Sequence, residues 1–145
     1  MPDSTIPHKI EDLIPHRGSM LLLDEILMID TEAAVSKARV KKTWPLFDGS
    51  KVSSLVLVEL VAQTCGLSNG LGRIRDQGID SEKKGFLVGI KSAAFHVKSL
   101  AVGTLITTEA RNRFEFDSFR EVAGIAKAGE ELLGEVTLQV IQAGT

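Results

Sequence analysis

The residue best suited to chemistry in this sequence is Glu59, which stands inside an apolar run. Residues 55–58 before it and 60–62 after it are all apolar. Burial raises the pKa of a carboxyl group unless a partner compensates, and a carboxyl with a pKa near neutrality can transfer protons to and from a substrate. The position therefore indicates a general acid–base residue or, alternatively, a carboxylate that bonds a backbone donor or a helix end at a subunit contact.

Gln63 follows Glu59 by four residues, so the two side chains share one face if the segment is a helix. Its amide is a candidate to orient the carboxylate or to bind a substrate carbonyl; a helix–helix hydrogen bond is the alternative. Asp48 and Ser50, just upstream, are interpreted either as caps or as catalytic groups.

Three histidines are candidates for a second catalytic group. His8 lies in a polar stretch and is expected to be exposed, while His96 alternates with apolar neighbours and is expected on a sheet surface. His16 stands in the tight loop at residues 15–18, where it is either a structural histidine bonded to backbone or a proton-transfer group. Cys65 is interpreted as a core residue. No serine-nucleophile motif, phosphate loop or metal-ligand spacing is found, so neither a metal nor a cofactor is predicted.

The composition is that of one soluble globular domain covering residues 1–145. Hydrophobic residues make up 43% of the chain and charged residues 25%, and the formal charge is 17 − 19 = −2. Such a charge predicts no nucleic-acid partner and no polybasic membrane patch. A single cysteine excludes an intrachain disulfide, and no apolar run approaches the ~20 residues of a membrane span. Without a secretory signal at the N-terminus, a cytoplasmic location is expected.

Two kinds of periodicity predict the elements that must position these residues. Residues 55 to about 75 are apolar on nearly every side, which predicts a buried helix with Ser53 or Ser54 as N-cap and Gly78 at its end. Three glycines in its second half require either close backbone packing or fraying. A short helical turn is expected at residues 8–14, ended by a proline, and a loop at residues 44–49.

The remaining segments predict strands. Residues 20–29 are expected to form a strand covered on both faces along part of its length, and residues 35–42 a strand with one solvated face. Period-two alternation continues in residues 86–97, 104–116, 120–127 and 132–141, with hairpin turns at 117–118 and 128–130. The predicted architecture is α+β: an antiparallel sheet curled around one long central helix.

Four segments resemble the β-hydroxyacyl-acyl-carrier-protein dehydratases of bacterial fatty-acid synthesis. They are the opening stretch at residues 13–26, the loop and helix at 47–49 and 56–63, the strand at 86–95, and the strand entry at 102–105. The resemblance implies a hotdog fold, a sheet wrapped around one helix. It also implies a homodimer or larger homo-oligomer with active sites at the interface, and an acyl chain that enters a tunnel between subunits while attached to a carrier protein.

One departure from that family stands out. The dehydratases carry a catalytic histidine shortly before the helix, opposite the helix glutamate of the partner subunit. Here Gly49 is followed by Ser-Lys-Val-Ser-Ser in a shorter loop without histidine, so the resemblance carries over only the glutamate, as Glu59. The chain is more similar to a divergent branch, the dehydratase-like proteins of aryl-polyene biosynthesis. His16 and Asp48 are the candidates to replace the missing base.

Three functions remain open. In a dehydratase, Glu59 would serve the leaving hydroxyl, amides at the helix start would polarise the thioester carbonyl, and Gly49, Ser54 and Gln63 would contact substrate. In a thioesterase, Glu59 would act as base or nucleophile toward the thioester of a carrier protein or CoA. In a catalytically silent subunit, the chain would bind acyl groups or form a hetero-oligomer with an active paralogue that supplies the histidine.

Overall fold

A computed structural model describes residues 8–81 and 86–142. It contains a short helix, α1 (Ile10–Leu13), a 3-10 turn (Gly18–Met20) and one long helix, α2 (Val56–Gln77). Within these residues, eight strands are present: β1 (Glu25–Ile29), β2 (Ala33–Arg39), β3 (Lys51–Ser53), β4 (Phe86–Phe95), β5 (Ser99–Ala101), β6 (Leu105–Phe116), β7 (Phe119–Ala128) and β8 (Glu131–Gln142).

Six of these strands form one antiparallel sheet in the order β1-β2-β6-β7-β8-β4. Strands β3 and β5 form a separate two-stranded antiparallel ribbon. The large sheet packs against α2 through β2, β6, β7 and β8, and apolar side chains between them form the core. This arrangement confirms the predicted α+β class and the hotdog fold that the resemblance implies.

Helix α2 begins and ends close to the predicted positions. Gly78 closes the helix with φ +94°, a left-handed conformation that favours glycine, and its N–H donates to Ile74 O. The start differs from the prediction: Leu55 occupies the N-cap, without a side-chain capping bond. Ser53 Oγ instead accepts a hydrogen bond from the Leu55 N–H at 3.2 Å, so the serine stabilises the turn before the helix.

The glycines of α2 mark close backbone packing. A Cβ atom at Gly70 would lie 2.2 Å from the carbonyl oxygen of Leu13, whereas one at Gly72 would meet nothing nearer than 4.0 Å. Gly70 therefore lets the end of α1 lie directly on α2. Of the two alternatives for these glycines, close packing applies at Gly70, and the helix continues unbroken to Gln77.

The strand prediction for residues 20–29 is partly wrong. Regular pairing starts only at Glu25, and β1 is an edge strand with mostly exposed side chains. The apolar signal came from Leu22 and Leu23, which are buried in a non-strand segment ahead of β1. Strands β3 and β5 were not predicted, because three residues are too few to show an alternation.

Candidate active site

One face of α2 borders a cavity of about 570 Å³, which also contacts the segment after α1 and strands β4, β7 and β8. The helix residues on this face follow a 3-4-3-4 spacing: Glu59, Ala62, Gly66, Asn69 and Arg73. All five are half-buried. The expectation that α2 is buried on every side is therefore wrong, because within the described residues the sheet covers the opposite face and leaves this one open to the cavity.

Glu59 lies on this face and is in contact with His16. The imidazole Nε2 is 3.3 Å from Glu59 Oε2, and the two side chains keep 32% and 38% of their surface exposed. The other imidazole nitrogen, Nδ1, is buried and has no hydrogen-bond partner among the described residues. The structure thus brings together two of the predicted catalytic residues, which are 43 positions apart in the chain.

The loop that carries His16 is held by the neighbouring arginine. Arg17 donates hydrogen bonds to the carbonyl oxygens of Glu11 (2.8 Å), Ile14 (2.8 Å) and His16 (2.7 Å). Pro15 ends the helical conformation of the preceding residues, and the buried side chain of Ile14 anchors the loop in the core. These contacts fix the backbone from which His16 reaches Glu59.

Gln63 connects the same carboxylate to the same segment of the chain. Its Nε2 donates to Glu59 Oε2 (2.8 Å) and to Met20 O (2.8 Å), while its Oε1 accepts from the Leu22 N–H (3.0 Å). The side chain is fully buried. Three hydrogen bonds within the protein leave this amide one free lone pair and no exposed surface, so the geometry favours orientation of Glu59 over contact with substrate.

These contacts decide the charge of Glu59. Burial by itself raises the pKa of this carboxyl, but hydrogen bonding from His16 and Gln63 and the charge of His16 outweigh burial, so that the pKa lies below its ordinary value. Burial was expected to raise this pKa unless a partner compensated, and His16 and Gln63 are the partners that compensate. Glu59 is therefore a carboxylate at neutral pH.

The predicted site residues upstream of the helix lie elsewhere. Asp48 Oδ1 accepts hydrogen bonds from the backbone N–H groups of Ser50 (2.9 Å) and Lys51 (3.0 Å), and the bonds from Lys51 and Ser50 lower its pKa. Gly49 adopts φ +103° in this turn, and Ser54 is buried. None of Asp48, Gly49 and Ser54 lines the cavity.

The backbone at the start of α2 also has fewer free donors than expected. The N–H groups of Leu57 and Val58 donate to Ser54 O (3.0 Å) and Leu55 O (3.1 Å). These two amides therefore have acceptors already, which weakens the expectation that they polarise a thioester carbonyl.

The other histidines and the cysteine lie outside the Glu59 contact. His96 is exposed as predicted but lies in the bend directly after β4 and not on a strand, with Nε2 3.2 Å from Glu135 Oε2. His8 is half-buried rather than exposed. Cys65 is buried as predicted, and burial raises the pKa of its thiol to about 11. A thiol of this kind is protonated at neutral pH and does not serve as a nucleophile.

Several polar residues of the cavity were not predicted, among them Asn69 and Arg120. Asn69 Oδ1 accepts a hydrogen bond from Arg120 Nη1 across the gap between α2 and β7, and both side chains line the cavity. The 3-4-3-4 spacing from Glu59 would have indicated Asn69. Arg120 carries no such signal, because its place beside α2 follows from the β7–β8 pairing.

No group of three or more His, Cys, Asp or Glu side chains in residues 8–81 and 86–142 is placed to hold a metal ion. In the same part of the chain, neither helix has the length and apolar character required to cross a membrane.

Comparison with known proteins connects this site to a family. The ApeP-like family, described as ApeP dehydratase, matches residues 8–144. The 3-hydroxyacyl-[acyl-carrier-protein] dehydratase FabZ of Acetivibrio thermocellus is 30% identical over 137 residues, which cover 90% of this chain and 87% of that protein. FabZ of Xanthomonas oryzae pv. oryzae is 26% identical over 138 residues, with coverage of 90% and 88%.

Solved structures share the fold. The dehydratase heterocomplex ApeI:P from Xenorhabdus doucetiae aligns with a TM-score of 0.77 at 15% identity, covering 94% of this chain and 91% of that one. A hypothetical thioesterase with coenzyme A from Streptococcus pneumoniae aligns with a TM-score of 0.63 at 15% identity, covering 83% and 86%. At these identities the structural matches show the fold alone. The match of the family to nearly the whole chain shows more: this chain belongs to the ApeP-like dehydratase family.

Proposed function

We propose that this chain removes water from a 3-hydroxyacyl group held as a thioester on an acyl-carrier protein or CoA, in the cytoplasm, and adds water in the reverse direction. The reaction needs a group that takes the proton next to the thioester carbonyl and a group that returns a proton to the departing hydroxyl. Membership of a dehydratase family and the similarity to FabZ proteins support this assignment.

One observation carries the proposal: an ionised carboxylate is held at the wall of a cavity large enough for an acyl chain. Gln63 holds Glu59 by a hydrogen bond and His16 contacts it at 3.3 Å, and part of its side chain remains exposed to the cavity. Apolar residues line the space beyond it, among them Ile90, Leu138 and Val140. Such a space accepts a hydrocarbon chain while the polar end of the substrate stays beside Glu59.

The product formed by the purified protein tests this function. With a 3-hydroxyacyl-pantetheine substrate, we expect mass spectrometry to show formation of the 2-enoyl thioester. A thiol-reactive dye should detect no free thiol. The same assay separates the alternatives. Release of free thiol would identify a thioesterase instead, and binding of the substrate without any product would identify a silent subunit.

We further propose that a second hotdog subunit covers the open face of this chain. Strand β4 is an edge strand of the sheet, and Ile90 on it is 56% exposed while also lining the cavity. An edge strand with an exposed apolar residue is available for pairing with another chain. A subunit placed there would close the cavity, as the resemblance implies for the hotdog dehydratases.

A substitution on that edge tests the assembly. We expect Ile90→Glu to reduce the mass measured by light scattering from that of a dimer to that of a monomer, because a carboxylate would be buried without a partner. Leu27→Glu is the matched control: Leu27 is 43% exposed on β1, at the opposite edge, and its mass should not change. If both variants keep the dimer mass, β4 is not the interface. If the unsubstituted chain is monomeric, the partner is a different protein, which co-purification with candidate dehydratase subunits would identify.

A further inference from the structure

We infer that Glu59 alone carries the proton in both halves of the reaction, and that His16 is a positioning residue that takes no proton from the substrate. This inference rests on the proposed function and assigns its two proton transfers. In place of one residue that acts as base and another that acts as acid, a single carboxylate oxygen takes the proton from C2 and returns it to the departing hydroxyl.

Neither ring nitrogen of His16 is directed at the substrate. Its Nε2 faces the carboxylate of Glu59 at 3.3 Å. Its Nδ1 is buried and has no partner within the described part of the chain, so a substrate proton cannot reach it.

The two carboxylate oxygens of Glu59 have different contacts. Oε2 accepts the hydrogen bond from Gln63 and faces His16. No hydrogen bond from any described residue reaches Oε1, and the side chain keeps 38% of its surface exposed beside the cavity. Oε1 is therefore the oxygen available to substrate, while the two contacts on Oε2 fix its direction.

With Oε1 as the only proton carrier, the elimination of water proceeds as follows. The C2–H bond of the 3-hydroxyacyl thioester breaks, and its proton moves to Oε1, while the electron pair is delocalised into the thioester carbonyl. That pair then forms the C2=C3 bond as the C3–O bond breaks. The departing hydroxide takes the proton from Oε1 and leaves as water, so Glu59 returns to the carboxylate. C2 and C3 are bonded neighbours, so one oxygen can serve both when the hydrogen and the hydroxyl lie on the same face.

The pH profile and two substitutions of His16 provide the test. Wild-type kcat/KM is expected to fall on the acid side as Glu59 is protonated, with no limb that belongs to His16. His16→Gln keeps an N–H donor for Oε2 but cannot titrate, so it should stay within ~10-fold of wild type, the size of one hydrogen bond. His16→Ala removes a partner that lowers the pKa of Glu59, so its acid limb should move to higher pH.

The surroundings of Glu59 make that shift interpretable. The other titratable groups that line the cavity are Cys65, Arg73, Asp76 and Arg120, and none of them contributes to the pKa shift of Glu59, which comes from burial, His16 and Gln63. His96→Gln serves as control for the loss of a histidine, since His96 is exposed in the bend after β4. Circular dichroism of each variant establishes that the rates refer to folded protein.

Two results would overturn the inference, and they differ. A loss of at least ~100-fold in His16→Gln, together with the disappearance of a limb near pH 6–7, would show that His16 transfers a proton. The proposed function would then stand and the assignment of both proton transfers to Glu59 would fail. Absence of water elimination by the wild-type protein, alone and with its partner subunit, would reject the proposed function and this assignment with it.

Discussion

Replacement of Glu59 by glutamine is expected to lower kcat/KM for a 3-hydroxyacyl thioester by at least ~100-fold, the lower end of the range for a general acid–base residue. Glutamine keeps the shape of the side chain and can still bond the amide of Gln63, so the fold should persist. It has no basic oxygen to accept the C2 proton. The measurement is the rate of enoyl-thioester formation, and of hydration in the reverse direction, at matched concentrations of folded protein.

A second His–Glu contact supplies a matched control. Glu135 lies 3.2 Å from His96 on the exposed sheet surface, almost the same separation as in the Glu59–His16 contact, but it does not line the cavity. Glu135→Gln should therefore leave kcat/KM unchanged. An unaltered rate in folded Glu59→Gln would reject Glu59 as the proton-transfer group and, with it, the mechanism proposed above.

Replacement of Gly70 by alanine is expected to lower the free energy of unfolding by about 2 kcal/mol, which is within the usual cost of overpacking a core. The new Cβ would meet the Leu13 carbonyl oxygen at 2.2 Å and the Leu13 carbonyl carbon at 2.8 Å. These are backbone atoms, so the clash cannot be relieved by a rotamer change. The helix propensity gained by alanine, ~1 kcal/mol, is too small to offset it.

Gly72→Ala is the matched control, two residues further along the same helix. Its Cβ would meet nothing nearer than 4.0 Å, so the gain in helix propensity should appear as a stabilisation of up to ~1 kcal/mol. Urea unfolding of both variants measures the difference. Equal stabilisation of the two variants would show that α1 does not lie on α2 at Gly70 in solution.

The Gly70 substitution should also reach the site. Leu13 precedes His16 by three residues, so displacement of Leu13 moves the loop that brings the imidazole to Glu59. Activity per folded molecule should therefore fall in Gly70→Ala. This links the stability of the α1–α2 contact to the geometry of the carboxylate.

Local patterns in the sequence predicted most of the helices and strands and three catalytic candidates, Glu59, His16 and Asp48. Helix and strand periodicities depend on which side chains face the core, and that pattern is local, so α2, its end at Gly78 and the long strands β6, β7 and β8 could be predicted. The same helical spacing placed Gln63 on the face of Glu59. The isolated carboxylate inside an apolar helix was the signal that singled out Glu59 as a candidate.

The contacts of that carboxylate, and therefore its charge and its access to the cavity, follow from the tertiary structure. His16 reaches Glu59 because Gly70 admits α1 onto the helix and because Arg17 holds the loop, and neither contact is visible in a local pattern. The contacts of His16 and Gln63 outweigh burial and lower the pKa of Glu59, and the contribution of His16 comes from a group far away in the sequence. Asp48 was the alternative to His16 as replacement for the missing base, but its backbone contacts hold it in a turn outside the cavity. Local periodicity reports burial, whereas charge state and access depend on which distant groups the fold brings within hydrogen-bond reach.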